Sequence, residues 1–245
     1  MHGKAIKFSS LFLILLLCMS ILGEASAKIP DKENVSASDY WKPVEKAMAE
    51  KGKISPDGAI KFTIPMTLNV TLDGIKLNPA TERSHDFDFM RAGNKAMMVG
   101  EIGVTEKEAK NVSKMVLQSG FEVTALHNHL LHLSPNVMWV HIYGYGDPVD
   151  MAKKIRNITD YVNVNSSSIE GEKFQSKGIN TTELDRIIGD KGTVEGGDYN
   201  YDIPRADKIR MNGYVLSPTL DVSTMINFQP LDNGSALVVG EFALE

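Results

Sequence analysis

A collinear series of matching residues recurs along this chain at an offset of 139 or 140 positions. The matches are Glu50-Lys51-Gly52 with Asp190-Lys191-Gly192, Ile64-Pro65 with Ile203-Pro204, Gly74 with Gly213, Leu77-Asn78-Pro79 with Leu216-Ser217-Pro218, Phe89 with Phe228, and Val99-Gly100-Glu101 with Val239-Gly240-Glu241. A series of this length indicates a duplicated unit, so the chain is expected to fold as two related parts.

The two copies are unequal. After Glu101 the first copy continues into a helix, a histidine-rich segment and another helix, whereas the second ends at Glu245. This predicts one full module and one truncated module, from a natural shortening or a truncated reading frame. We expect a signal peptide at 1–27, a flexible lead-in at 28–37, the first module at 38–162, a linker at 163–178 and the second module at 179–245. The second module either covers the first or needs another chain, as in a homo-oligomer.

Residue patterns between 38 and 162 predict an α+β fold of antiparallel sheets with helices on one face. Thr105 and Glu108 have the spacing of a capping box, and Asp147-Pro148 is typical of a helix start. From Ala96 the predicted order is strand, helix, strand, strand, helix, which is most of a ferredoxin-like unit.

The segment from Phe121 to Asp147 carries four of the six histidines. We interpret it as two strands joined by a short turn at Ser134–Pro135–Asn136. Side chains alternate along a strand, so Val123, Ala125, His127 and His129 are expected on one face. The antiparallel register then places His127 opposite His141 and His129 opposite Trp139, and His132 is expected on the exposed opposite side.

Three converging imidazoles favour a metal site made by His127, His129 and His141. Zinc, or another divalent transition metal, binds histidine nitrogen, and three protein ligands with one open position is a catalytic pattern. Glu101 is a weaker candidate as fourth ligand, positioning partner or general base, although its recurrence as Glu241 favours a structural role. Two further readings remain: a small-ligand pocket with Trp139 and Tyr143 as walls, or hydrogen-bonded structural histidines. His85, Asp86 and Asp88 form a looser cluster.

The histidine segment VTALHNHLLHLSPNVMWVHIYGYGDP, the preceding VGEIGVTEKEAKNVSKMVLQSGFE and the duplication together resemble the exported proteins of the LppY/LpqO type. This resemblance spans nearly all of the chain after residue 27. It implies export, often with lipid anchoring, and it implies no known activity. The absence of a second histidine hairpin leaves at most one such site per chain.

The N-terminus has the three-part pattern of a secretory signal. Lys4 and Lys7 precede an apolar run at 11–17, and Ala25-Ser26-Ala27 is typical of a cleavage site. An uncleaved anchor and a lipoprotein processed at Cys18 are the alternatives, and Leu17 before the cysteine fits the lipoprotein poorly. Cleavage would remove the only cysteine, which excludes a disulfide or thiol chemistry in the mature chain.

Seven Asn-X-Ser/Thr sequons are candidate glycosylation sites in an exported chain. They lie at Asn34, Asn69, Asn111, Asn157, Asn165, Asn180 and Asn233. An Asn-rich surface in a host that does not glycosylate is the alternative.

The net charge of −5, with no basic tract, makes nucleic acid an unexpected partner. The function expected from these patterns is an exported envelope or extracellular module that binds a metal ion or small ligand. A metal-dependent hydrolase or lyase using a metal-bound water, and a structural or interaction protein without metal, are the alternatives. The membrane is expected only through the N-terminal segment.

Overall fold

The computed structural model describes residues 35–163, 175 and 177–244. Its helices are α1 Ala37–Met48, α2 Glu106–Gln118, α3 Pro148–Val162 and α4 Thr181–Ile188. Its strands are β1 Lys53–Ile54, β2 Ile60–Pro65, β3 Thr71–Leu72, β4 Ile75–Lys76, β5 Ser84–Ala92, β6 Lys95–Thr105, β7 Glu122–His127, β8 Leu133–Ser134, β9 Val137–Gly146, β10 Thr193–Glu195, β11 Asp198–Pro204, β12 Arg210–Met211, β13 Tyr214–Val215, β14 Ser223–Pro230 and β15 Ala236–Glu241. The predicted α+β class is confirmed, whereas the signal peptide, most of the linker, Asn34 and Asn165 lie outside the described residues.

Helices α2 and α3 begin where the sequence signals predict. Thr105 donates its backbone N–H to the Glu108 carboxylate at 2.9 Å, which satisfies a donor that the first turn of α2 leaves unpaired. The Asp147 carboxylate accepts the N–H of Asp150 at 2.8 Å at the start of α3. Within the part of the chain that the structure describes, no helix is both long and apolar enough to cross a membrane.

The larger sheet has six strands in the order β1-β2-β5-β6-β9-β7, all pairs antiparallel. Strands β6, β9 and β7, with α2 and α3, have the ferredoxin-like arrangement that the sequence predicts. The ferredoxin-like fold has its fourth strand next to the strand that corresponds to β6. Here that position is occupied by β5, which precedes β6 in the chain. Helices α1, α2 and α3 pack on one face of this sheet through a continuous apolar core.

The other face of the six-stranded sheet is covered in part by the second copy. Leu216 and Leu220 pack into one cluster with Met97, and Leu237 packs against a second cluster that contains Trp139. The second module therefore covers part of the first module within the same chain. This is the first of the two arrangements expected from the sequence.

The duplication is visible in the strand pairing. Ile60 pairs with Phe89 in the larger sheet, and Tyr199 pairs with Phe228 in the smaller sheet, 139 positions later. The smaller sheet has the order β10-β11-β14-β15, so β15 is its edge strand, whereas the corresponding strand β6 is paired with β9. The extra elements of the first copy thus extend the sheet beyond β6.

Two details of the histidine segment differ from the sequence prediction. Residues 128–136 do not form a short turn: β8 lies within them and pairs with β3. In the observed register Ala125 pairs with His141 and His127 with Trp139, and a β-bulge lies between Val123 and Ala125. The predicted pairs were therefore wrong by two residues, and Val123 packs on the helix side of the sheet, because a bulge inserts an extra residue and reverses the alternation.

Candidate metal centre

Two strands of the larger sheet, and the loop after β7, position the histidines on the face away from the helices. His141 lies in the middle of β9 and pairs with Glu101 of β6. His127 ends β7, and His129 lies two residues beyond it, in the segment that β8 anchors to β3. The long loop therefore folds His129 back over the sheet, and the three side chains converge although the predicted register does not occur.

The ligating nitrogens of His127, His129 and His141 lie within 4.8 Å of one another. His129 Nε2 is 3.2 Å from His141 Nε2. The rings of His127 and His141 stack with centroids 4.8 Å apart. The predicted group of three histidines is thus present as a group.

Glu101 places a carboxylate oxygen beside two of the three histidines. Its Oε2 lies 3.6 Å from His129 Nε2 and 3.7 Å from His141 Nε2. Two nitrogens that each bind a tetrahedral zinc at 2.0–2.1 Å lie about 3.3 Å apart. The distances among Glu101 Oε2, His129 Nε2 and His141 Nε2 are therefore close to those between atoms that bind one ion.

His129 is held on its opposite edge by two carboxylates. Its Nδ1 lies 2.7 Å from Glu82 Oε2 and 3.3 Å from Glu241 Oε1. A carboxylate oxygen only accepts a hydrogen bond, so Nδ1 carries the proton and donates it. When Nδ1 carries the only ring proton, the lone pair of Nε2 faces His141 and Glu101. Histidine ligands of metals in proteins almost always donate their other ring N–H to a carboxylate, a backbone carbonyl or a water, and Glu82 is a partner of the first kind.

The indole of Trp139 fixes the plane of the His129 ring. The two rings stack at a centroid distance of 4.2 Å and an angle of 8°. Trp139 is fully buried, so it supports His129 from beneath. Tyr143, the other expected pocket wall, is half-buried, and its hydroxyl accepts a hydrogen bond of 2.8 Å from Asn212 of the second copy.

The electrostatics of the group favour a cation. Burial, together with the charges of neighbouring carboxylates, raises the pKa of Glu101 well above its usual range. Burial and the charges of His129 and His127 lower the pKa of His141 to about 4, so this imidazole is neutral at pH 7, the form that binds a metal. Burial acts to lower the pKa of His129, but the hydrogen bond and charge of Glu82 outweigh it and the pKa is raised.

Sequence reasoning missed Glu82 and the direct contact of Glu241. The duplication contained a usable signal, because Glu82 and Asp221 are acidic residues 139 positions apart and both have positive φ, at 56° and 52°. Glu101 and Glu241 are the other acidic pair. Their recurrence favoured a structural role for Glu101 in the sequence interpretation, yet the structure places both carboxylates beside His129.

Of the remaining candidates, His85 and His132 lie apart from the histidine group, whereas Asp86 lies beside Glu101. His85 is fully buried on the helix side, where its Nδ1 accepts the N–H of Gly103 at 3.1 Å. Asp86 pairs with Glu101 across the sheet and lies 3.4 Å from the Lys61 ammonium. His132 is exposed, as the sequence predicts.

The described sequon asparagines are all exposed. They are Asn69, Asn111, Asn157, Asn180 and Asn233. Asn180 also caps α4, where its side chain accepts the N–H of Glu183 at 3.2 Å. The Thr159 of the Asn157 sequon is buried and donates its hydroxyl to the carbonyl of Arg156. Glycosylation at these positions stays a prediction.

Comparison with known proteins identifies a family without a known activity. The chain matches the family model described as Domain of Unknown Function (DUF1259) over residues 42–161 and 182–245. No curated protein and no solved structure matches it significantly. The two matched segments include both copies of the repeat and all three histidines of the group. The chain therefore belongs to this family of unknown function, DUF1259.

Proposed function

We propose that this chain binds one divalent transition-metal ion through His127, His129 and His141, with Glu101 as the fourth ligand. The observation that carries the proposal is the convergence of the three histidine nitrogens within 4.8 Å. Glu82 also supports it, because a buried carboxylate that accepts from Nδ1 of His129 is one of the usual partners of a metal-bound imidazole.

The donor set favours zinc or a neighbouring metal. Imidazole nitrogen suits zinc, copper, iron and nickel, whereas sites for magnesium or calcium are built from oxygen alone. Three nitrogens and one carboxylate therefore favour the transition metals. Histidines joined only by hydrogen bonds are the competing interpretation, since 3.2 Å between two ring nitrogens also fits a hydrogen bond.

The proposed setting of this site is outside the cytoplasm, as an exported module of the LppY/LpqO type. The basic, apolar and small-residue pattern of residues 1–27 supports export. Intact mass measurement of the protein recovered outside the cytoplasm tests it. A mass that corresponds to removal of residues 1–27 is expected, and a protein that stays in the cytoplasm would contradict it.

Metal binding is tested by elemental mass spectrometry and zinc titration of the untagged protein. We expect about one equivalent of metal, and an affinity lower by about 100-fold or more when His127 and His129 are both replaced by alanine. His132→Ala is the matched control, because His132 is an exposed histidine outside the group. An unchanged affinity in the double variant, or no binding of zinc, copper, nickel, manganese or iron to the natural sequence, would rule out the site.

A further inference from the structure

The histidine group is built by both copies of the repeat. Glu82 belongs to the first copy and Glu241 ends β15 of the second, and both face Nδ1 of His129. The side chains of His129 and Glu82 are 8% and 6% exposed, whereas that of Glu241 is 42% exposed. His129 thus makes a buried contact with Glu82 of the first copy and a more exposed contact with Glu241 of the second.

Bringing Glu241 to this position places like charges together. The carboxylate oxygens of Glu82 and Glu241 lie 2.7 Å and 3.3 Å from the same ring nitrogen of His129. A cation on the other edge of the His129 ring offsets this repulsion. It also withdraws electron density from the imidazole, which makes Nδ1–H a stronger donor to both carboxylates.

We infer that the ion stabilises the packing of β15 of the second copy against the first-copy loop that carries His129. His129 contacts both the ion and Glu241, and Glu241 positions β15. This rests on the proposed function, since it requires an ion at Nε2. The site is then a clasp between the two repeats: occupancy orders β15, and docking of β15 raises the affinity for the ion, as reciprocal coupling demands.

The expected effect is local. The smaller sheet is also attached to the first copy through Asn78, which donates from its side chain to Asp198 at 2.7 Å and from its backbone to Gln229 at 2.9 Å. These contacts are made by β11 and β14 and involve no residue of the histidine group. Strands β10 and β11 therefore serve as an internal reference that the ion leaves unchanged.

Hydrogen exchange of the intact protein, with and without zinc, tests the clasp. In the natural sequence we expect zinc to slow amide exchange in β15 (236–241) by about tenfold, with β10 unchanged. Glu241→Gln is close in shape and removes the charge, so it should abolish the slowing in β15, retain it in β9, and lower zinc affinity by about 10–100-fold. Glu50→Gln, at an exposed carboxylate far along the chain from the histidines, is the matched control.

The outcomes separate the two proposals. Zinc binding with no change in β15, or β15 protection that persists in Glu241→Gln, overturns the clasp and leaves the metal site standing. Failure of the natural sequence to bind any of the metals overturns both. Glu241→Asp, which keeps the charge on a shorter side chain, should restore part of the zinc affinity. A loss as large as that of Glu241→Gln would show that charge is not what Glu241 contributes.

Discussion

Each copy contains an equivalent turn that packs against the other copy. The turn of the first copy makes polar contacts, whereas the turn of the second copy makes apolar contacts. Leu77 and Leu216 donate equivalent backbone hydrogen bonds, to Val70 at 3.0 Å and to Ile209 at 2.9 Å. In the first copy the turn then presents Asn78 and Thr81, which bond to the buried Asp198 of the second copy. In the second copy the equivalent positions are Ser217 and Leu220, and the position of Asp198 is taken by Ala59.

The comparison shows that backbone geometry and side-chain chemistry are separable in this fold. Asn78 donates its N–H to the amide oxygen of Gln229, and the equivalent Ser217 donates its N–H to the sulfur of Met90. The acceptor changes while the geometry of the interaction is retained. The apolar turn of the second copy buries no charged group that requires a partner. The polar turn of the first copy depends on every side chain in its hydrogen-bond network.

Replacing Asp198 by alanine should break the polar turn and have the largest effect. Asp198 is fully buried and accepts hydrogen bonds from the side chains of Asn78 and Thr81, and hydrogen bonds to a charged group contribute about 1.5–3 kcal/mol each. We expect the free energy of unfolding to fall by about 3–5 kcal/mol in urea titrations. Asp232→Ala, at a carboxylate that is 93% exposed, should change it by less than about 0.5 kcal/mol. Equal effects would refute the assignment.

Leu220→Ala tests the apolar turn. Leu220 is buried in the cluster with Ala59 and Met97, and truncation of a buried leucine costs about 2–5 kcal/mol. The cluster lies between the two copies, where the neighbours can partly close the cavity, so we expect a loss of about 2–4 kcal/mol by the same urea titration. Leu244→Ala, at an exposed leucine, is the control and should be close to neutral. A loss below about 1 kcal/mol at Leu220 would show that this turn contributes little to docking.

Converting the polar turn into the apolar one sharpens the comparison. The variant Asn78→Ser, Thr81→Leu and Asp198→Ala copies the residues of the second docking turn. Replacement of both members of a buried polar pair, here Thr81 and Asp198, by apolar groups of the same shape can be nearly neutral. We therefore expect it to lie within about 2 kcal/mol of the natural sequence, more stable than Asp198→Ala alone. A triple variant as unstable as Asp198→Ala would mean that the polar network itself is required.

Asp88→Asn has the smallest expected effect and a defined pH dependence. Lys61 and Asp88 are paired on neighbouring strands of the larger sheet. The equivalent pair in the smaller sheet is Asn200 and Asn227, which carry no charge. Burial raises the pKa of Asp88 well above its usual range, although Lys61 acts to lower it. A raised folded-state pKa contributes stability below the unfolded value and loses it as the pH rises through the folded value.

The variant removes this titration. Its unfolding midpoint relative to the natural sequence should therefore increase between pH 4 and pH 7, which thermal unfolding at the two pH values measures. A constant difference across this range would show that Asp88 does not titrate as its burial implies. Glu50→Gln is a suitable control, since an exposed carboxylate should give no such trend.

Much of the fold was predictable because its signals are local. The capping box at Thr105 and Glu108, and the cap at Asp147, specify helix starts within a few residues. The duplication follows from collinear matches alone. The convergence of His127, His129 and His141 also follows from their positions on neighbouring segments, although the predicted register was wrong.

The rest depends on contacts between distant residues. The bulge at residues 123–125 and the pairing of β8 with β3 set the actual register, and neither has a distinctive local pattern. Glu82 is 47 positions from His129 in the chain, and its only signal is the acidic residue at the repeat position, Asp221, rather than any local motif.

The sequence by itself determined the duplication, the element order and the three histidines of the candidate site, because each is specified by spacing along the chain. Only the tertiary structure decided which carboxylates join them. Glu82 reaches His129 through the fold of the first copy itself. Glu241 reaches it because the second copy docks on the open face of the first copy's sheet. That docking depends on the burial of surfaces from both copies, a property that no single stretch of the chain possesses.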